Sequence, residues 1–169
     1  MVAPSSFFLL ASLMPTSCAE TSSAASPPDT VAWGETVRGL RLGTEATGPI
    51  LALHLENAGT SPLTVLSHVS AGGERHLDWT RVAVVDAAGA SRSLRLTGPR
   101  DRAGRVQVAL APGERTTQTV DLAHWSTQPV NGGAPLPDGA HAVTVIYEVQ
   151  EDGPWWQGRV QSGQVTLTR

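Results

Sequence analysis

Five histidines, one cysteine and fifteen carboxylates are the residues of this chain with chemistry to offer, and their spacing organises little of it. His54, His68, His76, His124 and His141 form no HxH or HExxH pattern, so a metal centre would need tertiary convergence. A single cysteine, Cys18, excludes an intramolecular disulfide and cysteine-based zinc sites. No Gly-x-Ser-x-Gly elbow is present. The pair Glu151-Asp152 lies in a turn signal, where turn chemistry explains it better than acid catalysis. Every basic side chain is an arginine, which removes Schiff-base lysines, Ser-Lys dyads and the phosphate-loop lysine. No catalytic residue, metal or cofactor is therefore assigned.

Binding chemistry has more candidates. Arg100, Arg102 and Arg105 crowd the Gly98–Arg105 segment with Arg95 just upstream, a pattern able to fork hydrogen bonds onto a phosphate, a sulfated glycan or an acidic partner. A solvated hairpin tip explains the same pattern. Trp155 and Trp156 would face opposite ways if both lay in one strand, leaving one indole to stack on a sugar or a partner. The plainer alternative puts one in the core and the other under the Glu151–Pro154 hairpin. The Pro-bracketed loop over Ser126–Asp138, with Asn131 at its centre, is the longest connection and suits recognition or protease inhibition. An ordinary crossover between sheets is the simpler account.

The net charge of −3, with both signs interspersed, gives no nucleic-acid footprint. An apolar run of about eight residues, Phe7–Met14, is too short to span a bilayer and has the length of a signal-peptide core. Leu13-Met14-Pro15-Thr16-Ser17-Cys18 resembles the lipobox of bacterial lipoproteins: Ser17 fits, whereas Pro15 stands where an aliphatic residue is expected. The resemblance implies residues 1–18 as a signal peptide and Cys18 as the acylated attachment point, anchoring the protein to the cell envelope. The first charged residue is Glu20, so an upstream start would be needed to supply a basic n-region. Cleavage after Ala24 by an ordinary signal peptidase is the alternative, giving a secreted product. Residues 19–33 are rich in Ser, Ala and Pro and are expected to form a disordered tether.

From residue 34 to 169, turn signals recur and no helical period persists. Leu51, Leu53 and Leu55 alternate with polar or small residues, as do Val106, Val108 and Leu110, and Val143, Val145, Tyr147 and Val149 form the most regular strand. Ser162-Gly163 is expected to mark a bulge in the last strand. About eight or nine short strands at this spacing predict an all-β, antiparallel two-sheet sandwich. The segment Leu136–Val145 resembles the turn into a late strand of immunoglobulin-like and fibronectin III-like domains. Those families place a tyrosine near His141, and here histidine stands instead. The resemblance implies architecture, not activity.

The expectation is an exported, envelope-anchored, non-catalytic module that binds a protein or glycan partner, touching the membrane through its anchor and avoiding nucleic acid. The alternatives are a protease inhibitor or immunity-type protein using the 126–138 loop, a metal protein or enzyme built from the scattered histidines, and a structural subunit joined by strand addition.

Overall fold

The computed structural model describes residues 30–71, 74–97 and 104–169. Cys18, the leader, most of the tether, Arg100 and Arg102 lie outside the described residues.

The chain forms an all-β sandwich of open antiparallel sheets. Its strands are β1 Ala32–Trp33, β2 Leu40–Thr47, β3 Ile50–Asn57, β4 Leu63–Ala71, β5 Glu74–His76, β6 Thr80–Asp86, β7 Ser91–Leu94, β8 Gly104–Leu110, β9 Arg115–Asp121, β10 Ala140–Val149, β11 Gly158–Gln161 and β12 Val165–Thr168. One sheet runs β1-β2-β3-β9, a second runs β11-β10-β6-β7 with β12 also on β10, and a third runs β5-β4-β8. The hydrogen-bonded units are thus three, not two, and they share one core. Setting aside the very short β1 and β5, and joining β11 to β12, leaves nine strands, within the range the turn signals predict.

Period-two alternation builds that core. Val143, Val145, Tyr147 and Val149 of β10 are buried while their neighbours are half-buried, and they meet Val82 and Val84 of β6 and Leu40 and Leu42 of β2 in one cluster. Each such side chain fully withdrawn from water contributes about 1.5–3 kcal/mol. Tyr147 closes the core against the third sheet. Its hydroxyl donates to the Leu66 carbonyl at 2.8 Å and accepts from the Leu66 amide at 3.0 Å, beside the register shift between Leu66 and His68. Burial holds its phenol far above the ordinary value of 10.0, with the Leu66 hydrogen bond opposing that rise.

Two findings refine the sequence expectations. The bulge at Ser162-Gly163 is present: β11 and β12 both pair with the same edge of β10, with a one-residue slip between Ile146↔Gln161 and Val143↔Val165. Ser162 fills the gap, its hydroxyl accepting from the Val145 amide at 3.0 Å and donating to the Gly163 carbonyl at 2.7 Å. The ordered sandwich also begins before Gly34. Val31 is buried and β1 pairs with β2, because Gly43 has no Cβ and leaves the space that Val31 and Trp33 occupy. Trp33 in turn covers His54 on the far face of β3 from the buried leucines, with ring centroids 6.2 Å apart.

Candidate functional site

Between β9 and β10 the chain leaves one sheet for another through its longest excursion, residues 122–139. It opens with a helix that alternation does not predict, α1, Leu122–Ser126. The helix is too short to show a period. Its local signal is Asp121, whose Oδ1 accepts from the His124 amide at 3.1 Å as an N-cap. Leu122 and Trp125 are buried and pin α1 to the core. A 3-10 turn follows over Pro129–Asn131, and Gly132 and Gly133 leave it at φ of 89° and 69°, a left-handed region that favours glycine.

Side chains, not regular structure, hold the rest of the excursion. The half-buried Arg92 of β7 donates to four carbonyls: Ser126 at 3.1 Å, Asn131 at 2.9 Å, Ala134 at 2.9 Å and Pro135 at 3.2 Å. No carboxylate pairs with it among the described residues. Its cation is spent on neutral acceptors that the turn leaves without strand partners. Asn131 acts from the other side. Its Oδ1 accepts from the Arg95 amide at 2.9 Å, and its Nδ2 donates to the Arg95 carbonyl at 2.9 Å and the Trp125 carbonyl at 2.7 Å. The amide thereby imitates one rung of a strand beside the end of β7.

The far end of the excursion is fixed by His141. This ring is 1% exposed, and its Nε2–H donates to the Pro137 carbonyl at 2.8 Å, which fixes the tautomer. It is a backward bond from the start of β10 to the turn that enters the strand. Beneath the excursion lies a hollow of about 430 Å³ whose walls include Val84, Ala90, Arg92, Leu136, Pro137 and His141. Val130, 44% exposed, stands on the outer surface of the excursion.

The remaining sequence candidates separate. Trp155 and Trp156 both precede β11, so strand alternation does not decide where they point. Trp156 is buried, donating to the Val37 carbonyl at 3.1 Å and lying 5.9 Å from the Tyr147 ring. Trp155 is half-buried, packs over Gly153 and donates to the Glu151 carbonyl at 3.0 Å. One indole is core and the other lies under the hairpin. Arg105 belongs to β8 and pairs with Glu151 at 2.7 Å. Arg100 and Arg102 lie outside the described residues; the strands on either side of them are not partners, since β7 pairs with β6 and β8 with β4. Asn131 is a brace for the excursion, with each amide atom engaged. Arg92 is the bracing residue that alternation does not flag: a lone arginine among serines carries no pattern.

Among the described residues no three His, Cys, Asp or Glu side chains gather into a metal site, and no helix is long and apolar enough to cross a membrane. No protein-family model and no curated protein matches the chain.

Proposed function

We propose that this chain is an exported, envelope-anchored binding module that acts without catalysis, held by lipid at Cys18 and presenting the 122–139 excursion to a protein or glycan partner. One observation carries the binding half of this reading. An excursion with little regular structure is nonetheless braced at four carbonyls by Arg92 and over its hollow by His141. Any connection must find donors for its carbonyls; here one side chain serves four of them, and the pre-organised surface that results loses less entropy on binding. The inhibitor alternative is less well served. An inhibitory loop offers an extended backbone to a protease cleft, and Pro129–Asn131 is wound into a 3-10 turn.

The test expresses the full chain in a bacterial host, measures the intact mass of its mature N-terminus, and captures partners from envelope extracts. The expected result is a diacylated N-terminal Cys18 and a partner retained by the wild type but lost by Val130→Asp, a substitution at an exposed position. A mature protein that retains residues 1–17 would end the anchoring half. A partner held equally by Val130→Asp and by a variant with residues 127–135 replaced would end the binding half.

A further inference from the structure

A second cavity, of about 400 Å³, has no residue of the excursion among its described lining, and its chemistry is the opposite of the hollow's. Arg81, Arg95 and Arg105 line it together with Glu148, Glu151 and Trp79. Each of the two glutamates accepts at both of its oxygens. Glu148 accepts from Arg81 at one oxygen and from the Gln150 amide at the other, 2.7 Å away. Glu151 accepts from Arg105 at 2.7 Å and from the Trp79 indole at 3.3 Å. Each guanidinium, by contrast, has several N–H donors in a rigid fork, and the ion pair of Arg81 and that of Arg105 each occupy only part of one fork.

Arg95 is the extreme case. Its guanidinium pairs with no group among the described residues, while its backbone is held at both N–H and C=O by Asn131. The side chain is thus anchored at its root and uncommitted at its head. The cavity has an excess of donors and a shortage of acceptors. Asp78, also in the lining, is itself engaged in an interaction, and the three arginines face three carboxylates. A strong positive field is therefore absent, and selection rests on the geometry of donors.

We infer that this cavity binds an oxyanion, with the Arg95 fork as its principal clamp and Arg81 and Arg105 as flanking donors. The inference rests on the reading of the chain as a binding module and adds a ligand class to it: a carboxylate, sulfate or phosphate group borne by the partner. A planar guanidinium matches two oxygens of such a group at once, which an ammonium does not.

Titration of the full-length exported protein at low ionic strength with succinate, inorganic sulfate and inorganic phosphate tests it. Calorimetry reports affinity, and NMR follows the Arg95 Nε–H and Trp79 Nε1–H resonances. Saturable binding of at least one anion is expected, with both resonances shifting. Arg95→Ala should weaken that binding by about ten- to hundredfold, and Arg95→Lys should fall between them because it keeps charge but loses the fork. Arg159→Ala, on β11 and outside this cavity, should bind as the wild type does. A preference for succinate assigns a carboxylate-bearing ligand, and a preference for sulfate or phosphate assigns a sulfated or phosphorylated one. Absence of saturable binding by all three anions, or unchanged affinity in Arg95→Ala, overturns the inference. Because Asn131 holds only the backbone of residue 95, Arg95→Ala should keep the wild-type melting temperature, so lost binding would not reflect lost fold. Neither result bears on acylation of Cys18 or on Val130, so this inference can fail while the broader reading stands.

Discussion

Arg92 and Arg95 leave the chain three positions apart and are put to opposite uses. The guanidinium of Arg92 is consumed by four carbonyls of the excursion. That of Arg95 meets no partner among the described residues and borders a cavity whose other arginines are only partly committed. Residue type does not separate them, nor does local spacing. What differs is the surface each one meets: Arg92 faces backbone acceptors that no strand has paired, whereas Arg95 borders a cavity whose glutamates are bonded to other donors. The first arrangement makes a loop rigid. The second leaves hydrogen-bonding capacity to spend on a ligand.

The sharpest way to break this contrast is Arg92→Ala. Four carbonyls lose their common donor, and water can replace it at only some of them, so the expected loss is about 2–4 kcal/mol in chemical denaturation. Limited proteolysis should then cut within residues 126–137. An unchanged denaturation midpoint together with a resistant loop would show that the excursion does not depend on its arginine. High salt should leave the stability difference largely intact, because the bonds are to neutral acceptors in a half-buried setting.

Tyr147→Phe supplies a reference tie far from either arginine. It strands the Leu66 amide and carbonyl in the core, an expected loss of about 1–3 kcal/mol at neutral pH. The sign of its pH dependence follows from the raised phenol. The folded state holds the proton more tightly than the unfolded chain, so this contribution is complete below the ordinary value of 10.0 and declines as pH rises beyond it. Melting temperature against pH should therefore fall more gently above pH 10.0 in Tyr147→Phe than in the wild type. A parallel decline in both proteins would remove Tyr147 from the alkaline transition.

Asn131→Ala has the smallest expected effect on stability, about 1–2 kcal/mol, since the three bonds it removes lie nearer the surface than those of Tyr147. It should also loosen the root of Arg95. In this variant hydrogen exchange at the Arg95 amide should accelerate while that at Leu66 stays slow. Equal acceleration at both sites would indicate global destabilisation instead of a released brace.

Much of the strand pattern was legible in the sequence because sheet burial has a period of two. Leu51, Leu53 and Leu55, and the β10 series ending at Val149, announce their inward faces without tertiary knowledge. Asp86, Gly89 and the Pro112-Gly113 pair mark turns for equally local reasons. The candidate site was much less legible. Trp155 and Trp156 are adjacent in sequence, yet their roles were decided by where β11 begins. Asn131 stands at the centre of the Pro-bracketed loop, but its role as a brace depends on the end of β7, which is distant in the chain. His141 stands out in the sequence at the start of a late strand, though not as the residue that bonds the Pro137 carbonyl.

Composition and spacing by themselves determined that this protein would be built of short antiparallel strands, since alternation along a strand is a property of consecutive residues. They also determined which chemistries lacked the necessary side chains: without lysine or a second cysteine, no fold can supply them. Only the tertiary structure decided which arginine would be spent on the scaffold and which left available. A hydrogen bond to a guanidinium depends on what lies across from it in space, and the partners of Arg92 come from a segment more than thirty residues further along the chain.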